Sequence, residues 1–253
     1  MAGMNIEQYF QQPKFQRLRR LIVSVEGIQK VGKTTLALTS AMLGPVAILD
    51  YDFGLQDMAV SAREVFPDID LSRVWHLPLG APTSMLLAQD VTQEEYKEAW
   101  KKATGAYYSA LADPRIVTIV IDTGTEFWEA CRLSHFNKLE KVWPMTSYAA
   151  PNGEMRKILR DAVESTKNLI LIHRYKDEYV NDNRTGNQVF AGFKEIPGLV
   201  QMVVKLWKSK GQYGLTITDC RQKRVLEGTE LPPAIATFPQ LLNLVHGPEE
   251  EDE

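Results

Sequence analysis

Eight consecutive residues near the amino end have the types and spacing that bind phosphate. They read Gly27-Ile-Gln-Lys-Val-Gly32-Lys33-Thr34 and match the pattern G-x-x-x-x-G-K-[ST] in full. Glycines let the backbone N–H groups point at the β-phosphate, Lys33 reaches the β and γ oxygens, and the Thr34 hydroxyl ligates Mg²⁺. The segment therefore predicts binding of ATP with Mg²⁺, and Lys30 is expected to point either to solvent or to phosphate. The predicted nucleotide-binding residues are Gly27, Ile28, Gln29, Lys30, Val31, Gly32, Lys33, Thr34 and Thr35.

Carboxylates follow two apolar runs, where strands of a sheet would end. Asp122 follows IVTIVI and is predicted to hold Mg²⁺, directly or through water. Asp50 and Asp52 follow VAIL, and one of them can position the attacking water or accept its proton while the other caps the turn. We favour Asp52 as the catalytic carboxylate. Glu126, one helical turn beyond Asp122, is the alternative.

A histidine follows a third apolar run. His173 comes directly after LILI, at a position that faces the γ-phosphate in many P-loop sheets. It is predicted either to sense the nucleotide or to make a structural hydrogen bond as a neutral side chain. We include it among the catalytic candidates.

Alternating strand-type and helix-type segments would position these side chains. The P-loop follows a strand and opens a helix, and Thr92-Gln-Glu-Glu95 predicts a capped helix. Such alternation favours an α/β fold with a mostly parallel central sheet flanked by helices. Residues 176–192 are predicted to be a polar loop, and late strands would extend the sheet in antiparallel fashion. Strands are predicted at 21–25, 46–49, 73–77, 116–121, 169–172, 199–207 and 213–218, and helices at 33–42, 92–111 and 154–165.

The composition is that of a globular protein with polar ends. The 253 residues carry a formal net charge of −3, so any contact with nucleic acid must come from a local patch. Residues 1–20 form a basic polar arm, and 247–253 form an acidic tail that is expected to be disordered. We expect one domain between them, over 21–246.

Cysteine use and hydropathy predict the compartment. Neither Cys131 nor Cys220 belongs to a C-x-x-C motif or lies beside a pair of histidines, so no zinc site and no disulfide are predicted. We expect a reducing, cytoplasmic compartment. No run of signal-peptide type and no run of about 18 apolar residues is present, so no association with membranes is expected.

The order of these motifs resembles a known family. ILDYDFGLQDMA looks like the RecA-type strand that ends in the catalytic base, with Asp52 where glutamate is usual. IVIDTGTEF is similar to the metal-binding strand of that family. LILIHRYKDEYV looks like the strand that leads into its first DNA-binding loop, with His173 where glutamine is common. Over residues 20–225 the chain resembles the RecA-type recombinase core, especially compact phage RecA-like ATPases associated with single-strand annealing.

This resemblance implies partners. TDCRQKR lies where RecA-type filaments place basic residues that reach a neighbour's ATP, which implies self-association with a shared active site. Arg221 and Lys223 are two apart on a predicted strand and can point the same way; a solvated strand end is the alternative. Single-stranded DNA would contact the loops that follow LILI, where Tyr175, Tyr179, Phe190 and Phe193 could stack on bases. A solvated loop is the alternative there. The predicted DNA contacts are Arg174, Lys176, Arg184 and Lys194.

Three functions are consistent with these features. The first is a DNA-stimulated ATPase that acts on single-stranded DNA in recombination or annealing. The second is a nucleotide-loaded adaptor with slow turnover, and the third is a small-molecule P-loop kinase. The acidic tail could recruit a partner protein in any of them.

Overall fold

The computed structural model describes residues 18–80, 91–137, 144–180, 183–209 and 212–248. In these residues one sheet of nine strands runs in the order β3-β2-β4-β5-β1-β7-β8-β9, and β6 pairs with the outer part of β5. The strands are β1 (Ile22–Gly27), β2 (Val46–Asp50), β3 (Val74–Pro78), β4 (Thr118–Asp122), β5 (Asn168–Val180), β6 (Asn183–Ala191), β7 (Met202–Ser209), β8 (Gln212–Cys220) and β9 (Glu230–Leu231). The helices are α1 (Lys33–Leu38), α2 (Leu55–Val65), α3 (Gln93–Ala112), α4 (Gly124–Phe136), α5 (Ala149–Glu164), α6 (Ile196–Leu199) and α7 (Phe238–His246).

Parallel pairing brings the carboxyl ends of the central strands to one edge. Strands β1, β2, β3, β4, β5 and β7 are parallel, whereas β6, β8 and β9 are antiparallel to their partners. Asp50 pairs with Asp122, and Asp122 pairs with Ile172. Gly27 pairs with Arg174. The P-loop and the strand-end carboxylates therefore meet at this carboxyl edge.

The two faces of the sheet are covered by different helices. Alternate side chains of β5 enter different core clusters: Ile170 and Ile172 pack with α1, α2 and α7, whereas Leu169 and Leu171 pack with α3, α4 and α5. Full burial of one such side chain stabilises the fold by roughly 1.5–3 kcal/mol. Because β5 is covered on both faces, its first half is an uninterrupted apolar run.

The predicted fold class is confirmed, and several predicted bounds are corrected. The helix after the P-loop turns into a 3-10 helix at Thr39, because the Thr39 and Ser40 hydroxyls donate to carbonyls three residues back. The helix predicted at 154–165 begins at Ala149, and the strand predicted at 199–207 begins at Met202.

The segment predicted as a polar loop at 176–192 is a β-hairpin for its described residues. Strand β5 continues to Val180 and pairs with β6 from Arg174↔Ala191 outward. Polar side chains lie on this hairpin because its outer part projects beyond the helices, where both faces are open to solvent. Residues 1–17 and 249–253, which include most of both predicted tails, lie outside the described residues. No helix in the described ranges has the length and apolarity needed to span a membrane.

Candidate active site

The P-loop conformation depends on glycine at its two ends. A Cβ on Gly27 would lie 2.6 Å from the Leu206 carbonyl oxygen, and Gly27 has a φ of +154°. Gly32 caps α1 with a φ of 92° in the left-handed region. Lys30 is also left-handed, with a φ of 60°, and its side chain is exposed. These conformations curl the loop between β1 and α1 into a cradle for an anion.

Lys33 is folded back onto this cradle. Its Nζ donates to the Gly27 carbonyl at 2.9 Å and to the Ile28 carbonyl at 2.5 Å. Burial lowers the pKa of Lys33 to about 8; Asp122 opposes the shift and Arg174 adds to it. Phosphate oxygens can thus replace these two carbonyls as hydrogen-bond acceptors of the lysine.

Two oxygen ligands stand beside Lys33. The Thr34 hydroxyl donates to Asp122 Oδ2 at 2.7 Å, which joins α1 to the end of β4. Burial raises the pKa of Asp122 to about 6, while the bond from Thr34 opposes that shift. A hydroxyl and a carboxylate side by side are the hard oxygen donors that Mg²⁺ prefers, so these residues fit the predicted ion.

The two carboxylates after β2 differ in their surroundings. Asp50 is buried and caps the turn: Oδ1 accepts from the Asp52 and Phe53 N–H groups at 2.8 and 3.1 Å. Its Oδ2 lies 3.0 Å from His76 Nε2. Both carboxylates line the cleft, but the Asp52 side chain is 41% exposed, whereas that of Asp50 is buried. Of the two, Asp52 is therefore the more accessible to a nucleotide, and its catalytic role stays a prediction.

Arg174 joins both candidate catalytic carboxylates. Its Nη2 forms an ion pair with Asp52, and its Nη1 lies 3.4 Å from the buried Glu126. Arg174 is one of the predicted DNA contacts, but its side chain lines the nucleotide cleft. The pairing Gly27↔Arg174 explains this position, because it sets Arg174 directly beside the P-loop.

These groups enclose one cavity. Its volume is about 370 Å³, and Lys33, Thr34, Asp52, Asp122 and Arg174 line it. Cationic and carboxylate side chains therefore line a cleft of suitable size for a phosphate chain.

His173 lies on the other face of the sheet. Its Nδ1 is 3.0 Å from the Ser24 hydroxyl, its ring packs on Phe190, and a Cβ on Gly124 would lie 2.5 Å from Nε2. The side chain is fully buried, and burial lowers its pKa to about 3, so it is neutral at physiological pH. Side chains alternate along β5, so Arg174 enters the cleft and His173 does not. The prediction that His173 faces the γ-phosphate is thus wrong, and the alternative, a structural hydrogen bond of a neutral side chain, agrees with the structure.

Arg221 and Lys223 lie at the opposite edge of the sheet from the cleft. Strand β8 ends at Cys220, which pairs with Met202 at the start of β7. Both residues therefore follow the end of β8, and the prediction that they lie two apart on one strand and point the same way is wrong. The Arg221 guanidinium donates to the Gly198 carbonyl, and Lys223 Nζ donates to a carbonyl of α7, that of Leu244, at 2.8 Å.

The predicted DNA contacts are divided in space. Lys176 and Arg184 are exposed on the hairpin of β5 and β6, and Lys194 is exposed just after it. Arg184 is ion-paired with Asp177 at 2.8 Å.

Three of the four aromatic side chains predicted to stack on bases contact their own chain, and the Tyr179 side chain lies outside those that the structure describes. The Tyr175 hydroxyl donates to Glu26 at 3.0 Å, and Phe190 packs on His173. Phe193 packs on Trp128 at a centroid distance of 5.1 Å. On the described hairpin, Lys176 and Arg184 are thus exposed, while these three aromatic side chains contact other residues of the protein.

Comparison with known proteins identifies one family and several similar structures. The AAA domain family matches residues 19–225. The crystal structure of the RadB recombinase is similar with a TM-score of 0.51 and 15% identity, over 83% of this chain and 84% of that one. A prototypical ATPase of the type III secretion system of pathogenic bacteria has a TM-score of 0.48 and 13% identity, over 74% and 52% of the chains.

A further similar structure is the type III secretion ATPase EscN of enteropathogenic E. coli, with a TM-score of 0.46 and 17% identity, over 74% and 43% of the chains. This chain therefore spans about half the length of the two secretion ATPases. At these identities the likeness to RadB is one of fold. No curated protein sequence matches the chain significantly.

Proposed function

The chain belongs to the AAA domain family and has a RecA-like fold, and from this premise we propose that it hydrolyses ATP with Mg²⁺ while acting on single-stranded DNA in recombination or annealing. The observation that carries the proposal is the continuity of β5. Arg174 of this strand lines the nucleotide cleft, and the same strand continues into an exposed polar hairpin that carries both basic and acidic side chains. One element therefore links the two sites that a DNA-dependent ATPase must couple.

Nucleotide binding would begin at Lys33. The phosphate chain replaces the Gly27 and Ile28 carbonyls as acceptor for Nζ, and the P-loop N–H groups bind the β-phosphate. Thr34 and Asp122 would hold Mg²⁺, which neutralises charge on the β and γ oxygens when bound.

Hydrolysis would require Asp52 to be released from Arg174. The γ-phosphate offers the guanidinium a doubly charged acceptor with two oxygens for a bidentate pair, so Arg174 turns from Asp52 to the nucleotide. Asp52 then accepts a proton from the attacking water as the water oxygen bonds to the γ-phosphorus. The bond to the bridging oxygen breaks, and ADP and phosphate leave.

Head-to-tail assembly would complete the site. Arg221 is exposed at the amino edge of the sheet, and such stacking sets that edge against the carboxyl edge of the next protomer. A cation supplied in this way stabilises charge on the γ-phosphate and makes hydrolysis depend on assembly. Lys223, bonded to α7, would support the same surface.

DNA would contact the hairpin. Lys176 and Arg184 bind backbone phosphates, and the phosphate replaces Asp177 as the partner of Arg184. Lys194 extends this surface. The acidic tail would recruit a partner protein.

The test is ATP hydrolysis with and without single-stranded DNA over a range of salt concentrations. We expect stimulation of the wild type, and no activity from Lys33→Ala. The double variant Lys176→Ala/Arg184→Ala should keep the basal rate and lose stimulation, with a salt slope of DNA binding smaller by about 2. Lys102→Ala, an exposed lysine of α3, is the matched control. A wild type that neither binds DNA nor responds to it would refute action on DNA.

The ion pair between Arg174 and Asp52 also favours a second candidate, the nucleotide-loaded adaptor. If the guanidinium holds Asp52 in the nucleotide-bound state as well, ATP is bound and not turned over. Tight binding of ATP without hydrolysis, even with DNA, would select this function.

A further inference from the structure

Three potential metal ligands converge between α4 and α5, away from the nucleotide cleft. Cys131 and His135 are four residues apart on α4 and therefore share one helix face, and Glu154 approaches them from α5. The ligand atoms of all three lie within 4.8 Å of one another. His135 Nε2 is 3.0 Å from Glu154 Oε1, and Cys131 Sγ is 3.9 Å from Glu154 Oε2.

These distances suit a tetrahedral ion. Zinc binds sulfur at about 2.3 Å and nitrogen or oxygen at about 2.0 Å, so its ligand atoms are roughly 3.5 Å apart. The observed separations of 3.0 and 3.9 Å, measured to the two different oxygens of Glu154, lie on either side of that value, and all three ligand atoms lie within 4.8 Å of one another. Small movements of side chains would therefore suffice to place an ion between the three ligands.

The surroundings support the carboxylate and leave a route for an ion. Trp100 Nε1 donates to Glu154 Oε2 at 2.6 Å, which holds the carboxylate from the side of α3. Cys131 is completely buried, whereas the side chains of His135 and Glu154 are 26% and 43% exposed. An ion can enter from the side of the glutamate, and water can fill the fourth position.

We propose that Cys131, His135 and Glu154 bind a zinc ion that ties α4 to α5. A thiolate with an imidazole selects a borderline-soft divalent ion over Mg²⁺, which prefers oxygen ligands alone. The site is distinct from the predicted magnesium site, because twelve positions, roughly 18 Å of helix, separate His135 from Thr123, which caps α4 and lines the cleft. The expectation of no zinc site rested on the absence of C-x-x-C and of a histidine pair, and this site needs neither.

The test is titration of the chelator-treated full chain with zinc against a chromophoric competitor, in the presence of Mg²⁺. We expect one equivalent to bind and the melting temperature to rise. Cys131→Ser should weaken binding at least about 100-fold and abolish the thiolate charge-transfer band of the cobalt-substituted protein. Cys220→Ser is the matched control, since Cys220 is also fully buried and free, and it should behave as wild type.

Two further variants keep the test decisive if Cys131→Ser does not fold. His135→Gln and Glu154→Gln change partly exposed side chains, and each should weaken zinc binding and remove the zinc-dependent rise in melting temperature. Lys33→Ala should bind zinc normally. The proposal is overturned if the wild type binds no zinc, or if binding survives in all three ligand variants; the cluster is then only a buried thiol beside a pair of hydrogen-bonded side chains.

Discussion

The two edges of the sheet differ in whether their buried cations have carboxylate partners and in whether they line an open cleft. At the amino edge, Lys167 Nζ donates to the Asp113 and Ile116 carbonyls, and Arg20 donates to Gln201 and to the Val163 carbonyl. These cations thus donate their hydrogen bonds to backbone carbonyls or to a neutral side chain. At the carboxyl edge, Arg174 is held by two carboxylates, and Asp122 by the Thr34 hydroxyl beside Lys33.

The difference separates a structural role from a role in binding. A buried carbonyl that loses its donor stays unsatisfied, so the cations of the amino edge cannot leave without cost. The charged groups of the carboxyl edge line an open cleft, where phosphate and Mg²⁺ can replace both the carboxylate partners of Arg174 and the carbonyl partners of Lys33. Residues of the same type should therefore respond differently to substitution at the two edges.

The largest effect is expected from the two buried lysines. Lys33→Ala should reduce ATP hydrolysis by at least about 100-fold, because the phosphates lose their main cation. Lys167→Met, its counterpart at the amino edge, should hydrolyse ATP at the wild-type rate per folded molecule. Initial rates at saturating ATP measure both. Equal losses in the two variants would erase the functional distinction between the edges.

A smaller effect, on the free energy of unfolding, should be greater in the Lys167 variant than in the Lys33 variant. Lys167→Met leaves the Asp113 and Ile116 carbonyls without their lysine donor and should lower the free energy of unfolding by about 2 kcal/mol. Lys33→Ala should lower it less, because water in the open cleft can reach the Gly27 and Ile28 carbonyls. Urea denaturation without nucleotide measures both values. A larger loss in the Lys33 variant would reverse the assignment of the edges.

Arg174 sharpens the comparison within the cleft. Arg174→Gln should lower the rate of hydrolysis by about tenfold, because glutamine keeps a donor and loses the charge that the γ-phosphate attracts. Arg156→Gln removes a similarly paired arginine from the surface and serves as control. Single-turnover hydrolysis separates this step from product release. A faster rate in Arg174→Gln would instead mean that the ion pair with Asp52 is a brake, as in the adaptor.

The smallest effect concerns a histidine and pH. The folded-state pKa of His173 is lowered to about 3 from 6.5 by burial, so stability is fully present above pH 6.5 and falls as the unfolded chain takes up a proton. Between pH 6.5 and 5.5 this contribution should amount to about 1 kcal/mol. Denaturation at several pH values should show the decline in wild type and in His246→Asn, and a weaker decline in His173→Asn. The same slope in all three would mean that His173 is not the group responsible.

Local sequence determined the parts of this protein that depend on neighbours along the chain. Glycines of the P-loop set the backbone of the cradle, and apolar runs with period and length typical of buried strands located most of the sheet. Asp122 could be placed because it ends such a run. The sequence favoured Asp52 over Asp50 and kept Glu126 as the alternative, and the structure shows that Asp50 caps the turn while Asp52 is the more exposed carboxylate.

Only the tertiary structure decided which side chains meet across elements. If the register of β5 shifted by one residue, His173 and Arg174 would exchange faces of the sheet. At the end of a strand, the sequence alone does not show which of the two side chains faces the cleft. The end of β8 at Cys220 removed Arg221 from the strand. The approach of Glu154 to Cys131 and His135 depends on how α5 packs on α4, which side chains far apart in sequence determine together.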